Sequence, residues 1–119
     1  MGIDLVKTER VKTWDQSTIL DKYFSSVEQE LISSVQGARR NELMAGRFAV
    51  KEAVLKAFRL GINMGVHLNE IETQMAEDGA PVLVFKGKAK EYVYSMGIED
   101  CSVSISHDAG LTTAVVILV

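Results

Sequence analysis

The chain has 119 residues, 47% of them hydrophobic and 24% charged, and a net charge of −3. That length supports one hydrophobic core and is too short for two, so residues 1–119 are read as a single domain. The acidic balance excludes a global positive field for nucleic acid or anionic membrane, and any functional positive charge has to be local. The lone Cys101 has no partner for an internal disulfide. Near Val103 and Ile105 it reads as a small core residue, suited to a reducing cytosol. No signal-peptide layout is evident, and the apolar run 114–119 is too short to span a bilayer.

Residues 2–6 are predicted to form a short apolar strand interrupted by Asp4. A buried carboxylate needs a partner, so Asp4 either meets one across the fold or caps the helix that follows. Residues 7–36 read as broken helix. Lys7, Arg10 and Trp14 share one face at spacings of three and four. That face either docks an acidic partner helix or buries Trp14 and leaves the cations solvated. Ser26-Val27-Glu28-Gln29 resembles a capping box opening a short helix that Gly37 ends.

A long helix is predicted over residues 40–60, stopped by Gly61. Met44, Phe48, Leu55 and Phe58 form one apolar stripe; Leu43, Val50, Val54 and Ala57 form a second. Arg47 and Lys51 project from the gap between them, and each requires a carboxylate or an anionic ligand. Glu52 and Lys56 pair at i, i+4 away from both stripes. Residues 39–60 hold six Lys/Arg against two Asp/Glu. The bland reading is a buried helix with ordinary salt bridges.

A loop over residues 61–68 leads to a half-buried strand, 71–75. Asp78-Gly79 signals a hairpin returning through residues 82–85. A helix over residues 87–96 closes at Gly97. Cys101, Val103 and Ile105 alternate with serines as a further strand. Residues 107–110 are read as a turn, and 111–119 as a final strand apolar throughout from Ala114. Both its faces require cover, one of them from another subunit if this chain does not supply it. The class is α+β, with helices packed on a mainly antiparallel sheet.

Three segments occur together in this order: Gly2-Ile3-Asp4; Gly46-Arg47-Phe48-Ala49, Lys51-Glu52-Ala53 and Lys56-Ala57; and Ser104-Ile105-Ser106-His107. Together they resemble the holo-[acyl-carrier-protein] synthases, the small type of 4′-phosphopantetheinyl transferase, over essentially the whole chain. The resemblance implies that fold and Mg²⁺-dependent transfer of 4′-phosphopantetheine from coenzyme A to a serine of an apo acyl-carrier protein. Adenosine 3′,5′-bisphosphate would be released. It implies a cytoplasmic homotrimer of fatty-acid and lipid biosynthesis with sites between subunits. Asp4 and Glu52 would hold the metal, with Glu52 also the base and Lys56 beside the leaving phosphate. Arg47, Lys51 and His107 would meet the phosphates of coenzyme A. Lys7, Arg10 and Trp14 would dock the carrier. The rival reading is an inactive module that binds coenzyme A without transfer.

Overall fold

In a computed structural model, which describes residues 1–59 and 65–119, the chain ends build the main sheet. The strands are β1 (Gly2–Lys7), β4 (Cys101–Asp108) and β5 (Leu111–Leu118). They pair antiparallel in the order β1-β5-β4, with Asp4 opposite Ala114 and His107 opposite Thr112. A separate hairpin, β2 (Ile71–Met75) and β3 (Pro81–Phe85), lies between them in sequence. Its turn has Gly79 at φ +87° and Asp78 Oδ1 accepting from the Ala80 N–H, as the Asp-Gly signal predicts.

The helices are α1 (Ser17–Tyr23), α2 (Ser26–Ser33), α3 (Gly37–Ala57) and α4 (Gly87–Ser95). Short 3₁₀ turns sit at Thr8–Val11 and Leu68–Glu70. The expected fold class is therefore observed. The long helix starts at Gly37 rather than residue 40, and Gly37 opens it instead of closing α2. The stop at Gly61 lies outside the described residues. The capping box is shifted by one: Ser25 caps α2, with Glu28 as its reciprocal partner. His107 and Asp108 belong to β4, and the turn itself is Ala109-Gly110, both at positive φ.

Strand alternation decides which side chains reach α3. Val6 on β1 and Thr112, Ala114 and Val116 on β5 are buried. Ala45, Ala49 and Ala53 present a fully buried small stripe. The closest approach is at Gly2, where an added Cβ would sit 1.8 Å from the Ala53 carbonyl oxygen. Any side chain there would have to push β1, and Asp4 with it, off the helix. Among the described residues, none covers the other sheet face: Ile3 and Leu5 are 58% and 62% exposed.

A buried polar cluster ties α2, α3 and the hairpin together. Glu28 accepts from the Ser25 and Thr73 N–H groups and from Lys51 Nζ at 2.6 Å. Glu72, also fully buried, pairs with Lys86 at 2.9 Å and accepts from Gln74 at 2.6 Å. Burial alone would raise the Glu72 carboxyl. Hydrogen bonds from Ser25, Lys86 and Gln74 outweigh it and bring the pKa from 4.5 down to about 2. A depressed carboxylate stabilises the fold above its unfolded pKa and loses that contribution as pH falls through the folded one. Acid titration should therefore weaken the parent between pH 4.5 and about 2. Glu72→Gln should flatten that part of the profile, as followed by denaturant unfolding across pH. An unchanged slope would remove Glu72 from the account.

Candidate functional site

Asp4 sits mid-strand in β1, so it is not a helix cap. Its side chain points toward α3 and remains 14% exposed. Lys56 Nζ donates to Asp4 Oδ1 at 2.8 Å and to the Ile3 carbonyl at 3.2 Å. Glu52 lies one helical turn before Lys56, on the same side of α3. Burial raises the Glu52 carboxyl above its ordinary range, and the negative charge of Asp4 raises it further; Lys56 and Arg10 oppose the rise. Two residues 48 positions apart in sequence thus form a carboxylate pair, with two cations at its edge.

The pair offers only hard oxygen donors and remains partly open to solvent. No cluster of three metal-ligating side chains exists among the described residues. This suits Mg²⁺, which commonly takes one or two carboxylates and completes its shell with water and phosphate oxygens. It does not suit zinc, which favours nitrogen and sulfur ligands. The repulsion that lifts Glu52 is what a divalent cation between the two groups would relieve.

Arg47 is 7% exposed, and its Nε has no hydrogen-bond partner among the described residues. Burial lowers its pKa, while the charge of Glu28 works the other way. Glu28, however, is already committed to Lys51. A buried guanidinium with an open donor is prepared for an anion. His107 is exposed on β4 and donates or accepts at Nδ1 with Thr112 Oγ1, 2.8 Å away. Its ring edge packs over Gly46, the residue before Arg47: a Cβ at Gly46 would be 3.7 Å from His107 Nε2. A cavity of about 730 Å³ opens beside it, lined among others by Lys7, Thr8, Asn41, Glu42, His107 and Asp108. That volume suits a ligand of cofactor size. Asp4 and Glu52 are outside its lining.

Two expectations need correction. Lys51 faces no ligand space. It is fully buried, and its three donors go to Glu28, the Leu68 carbonyl at 3.0 Å and the Ile71 carbonyl. The gap between the apolar stripes, which holds both cations, turns Lys51 onto α2 and β2. Burial pushes its ammonium below the ordinary value, with Glu28 opposing. Trp14 is half-buried rather than a free docking ring. It stacks on Tyr23 at 5.0 Å and meets Phe48 edge-on at 5.1 Å. Arg10 remains exposed, with its guanidinium 5.1 Å from the Phe48 ring centroid, and Lys7 is exposed at the end of β1. Asn41, Glu42 and Thr8 joined the site only through folding, since nothing in their local sequence marks them.

Residues 1–115 match the family model described as the 4′-phosphopantetheinyl transferase superfamily. The chain is 41% identical over 121 aligned residues to a holo-[acyl-carrier-protein] synthase of Syntrophus aciditrophicus (strain SB), covering 98% of this chain and 92% of that one. Among solved structures, it resembles the Helicobacter pylori holo-[acyl-carrier-protein] synthase in complex with coenzyme A. There the TM-score is 0.81 at 30% identity, covering 99% of this chain and 98% of the other. A Bacillus anthracis holo-(acyl-carrier-protein) synthase in complex with CoA (3′,5′-ADP) gives a TM-score of 0.80 at 28% identity, over 98% and 92%.

Proposed function

Because this chain belongs to the holo-[acyl-carrier-protein] synthases of the 4′-phosphopantetheinyl transferase superfamily, we propose that the Asp4–Glu52–Lys56 constellation is where it moves 4′-phosphopantetheine from coenzyme A to a carrier-protein serine. The observation that carries this reading is the meeting of β1 and α3, which puts two mutually repelling carboxylates beside a lysine. Asp4 and Glu52 would hold the Mg²⁺, which when bound would supply Lewis-acid polarisation of the pyrophosphate.

The chain's own groups supply the rest. Glu52 accepts the proton of the carrier serine, directly or through a water, as that oxygen forms its bond to the pantetheine-side phosphorus. The phosphorus–oxygen bond to the adenosine-side phosphate breaks, and the electron pair leaves on that phosphate as adenosine 3′,5′-bisphosphate. Lys56, whose side chain is 56% exposed and whose ammonium meets Asp4, neutralises the departing charge. Arg47 and His107 bind the phosphates of the nucleotide end, the 3′-phosphate foremost, and hold coenzyme A for the attack. Lys7 and Arg10 form the cationic lip that meets an acidic carrier helix. Trp14 supports that lip from beneath by packing on Phe48.

The direct experiment incubates the purified protein with coenzyme A, Mg²⁺ and several apo carriers, and reads intact mass. Time-dependent gain of one phosphopantetheine group on a serine, lost with chelator, is expected. Coenzyme A binding without any mass gain would leave only an inactive binding module. The two binding roles separate in kinetics. Arg47→Ala should raise KM for coenzyme A about tenfold or more, consistent with losing a charged hydrogen bond. Arg10→Glu with Lys7→Glu should instead raise KM for the carrier. The reverse pattern would exchange the two assignments.

The uncovered sheet face supports a homotrimer. Ile3, Leu5, Leu111 and Ile117 are exposed on that face, apolar surface that neighbouring copies would bury. A second copy covering it also explains why β5 is apolar on both sides. Leu5→Glu should shift the mass measured by light scattering from trimer toward monomer, and a monomeric parent would sink the assembly. No helix among the described residues is long and apolar enough to cross a membrane. With Cys101 a free thiol, the cytoplasm is the compartment we assign. Residues 1–119 act as one domain around a single core, in which α3 meets both the sheet and the hairpin.

A further inference from the structure

Thr112 takes no part in the chemistry above, yet it is fully buried on the face of β5 that meets α3. Its Oγ1 lies 2.8 Å from His107 Nδ1 and 2.7 Å from Thr8 Oγ1. The line of three polar groups is fixed at both ends by backbone. His107 and Thr112 are register partners across β4 and β5. The Thr8 N–H donates to the Gly110 carbonyl at 2.9 Å. A hydroxyl has one proton to give and two lone pairs to offer. With neutral imidazole protonated on Nε2, Thr112 donates to Nδ1 and accepts from Thr8. With imidazolium, Nδ1–H donates to Thr112, which donates to Thr8. An anion facing Nε2 admits only these two states, since the third neutral form would turn a lone pair toward it.

We propose that Thr112, backed by Thr8, is the positioning residue for His107, engaging Nδ1 inside the fold so that Nε2–H is presented to an anionic ligand. The ring edge in that orientation rests against Gly46 at van der Waals range, where an added Cβ would lie 3.6 Å from Cε1. Nε2 has no hydrogen-bond partner among the described residues. The inference rests on the reading of His107 as a coenzyme A phosphate contact.

Thr112→Val removes the hydroxyl and keeps the shape. In the ligand-free enzyme, the ¹⁵N shifts of the His107 ring should move as Nδ1 loses its partner. KM for coenzyme A should rise about fivefold, the effect of one modest hydrogen bond, with kcat little changed. Thr112→Ser should restore both. In a His107→Ala background, Thr112→Val should add nothing further to KM. Unaltered ring shifts, or an equal KM increase without His107, would overturn the proposal. If His107→Ala itself leaves KM unchanged, the phosphate reading fails, while the ring shifts still judge Thr112. Where Thr112→Val does not fold, Thr8→Val at its less buried position gives the same readouts in smaller degree, and unmoved shifts there overturn the proposal equally.

Discussion

Glu52→Gln is expected to lower transfer roughly 10²–10⁴-fold, the usual range for losing a general base, while the folded protein becomes no less stable. The two halves of this expectation share one cause. The Glu52 carboxyl is lifted first by burial and second by Asp4. A group whose pKa is raised on folding stabilises fully below its unfolded value, and that contribution disappears as pH rises through the folded one. At neutral pH an ionised Glu52 therefore opposes folding in the absence of metal, and Gln removes that opposition. Melting temperature should stay level or rise in the variant at neutral pH, with the gain vanishing in acid. Mg²⁺ should raise the melting temperature of the parent, because a ligand that binds only the folded state stabilises it. The variant should lose most of that response. Near-normal turnover in Glu52→Gln, or an equal Mg²⁺ response in both proteins, would dismantle the metal pair. Stability and catalysis thus pull opposite ways at this position, as expected where charge is held in place for chemistry.

Lys51→Met should have its largest effect on the fold, with a loss of about 3–5 kcal/mol on removing one partner of a buried ion pair. The pair is 2.6 Å long with both side chains fully buried. Its lysine also serves the Leu68 and Ile71 carbonyls, each of which would lose that donor, the Leu68 carbonyl keeping the Ile71 N–H. Glu28 would keep the Ser25 and Thr73 N–H groups but face no counter-charge. The loss is large against a typical total of about 5–15 kcal/mol. Denaturant unfolding measures it, and a double variant with Glu28→Gln should recover part of it, because the two residues act as a unit. A stable Lys51→Met protein with a raised KM for coenzyme A would instead restore the lysine to the phosphate site. Arg47, one turn away, is the contrasting case: its Nε remains open among the described residues.

Much was legible in the sequence because its signals are local. The Asp78-Gly79 hairpin, the alternation in β4 and the long central helix follow from turn chemistry and periodicity acting over a few residues. The three short motifs were enough to indicate the family, and the fold brings Lys56 of the second onto Asp4 of the first. Tertiary structure alone decided which cation faces what. Arg47 and Lys51 are the same charge type on one helix face, and the position of Glu28 on α2 separates a fold-locking lysine from an arginine whose Nε is unpaired among the described residues. The capping frame of α2 shifted for the same reason: the Glu28 carboxylate is drawn inward by Lys51 and the Thr73 N–H, so Ser25 becomes the cap. Trp14 went into the aromatic cluster because Tyr23 and Phe48 offered it apolar contact that solvent does not. The Thr8–Thr112–His107 line has no sequence signature, since its members are 104 positions apart at the widest. Local propensity fixes which elements form; the partner of a charged or hydroxyl side chain depends on which distant element folds against it, and a hydrogen bond acts only over a few ångströms.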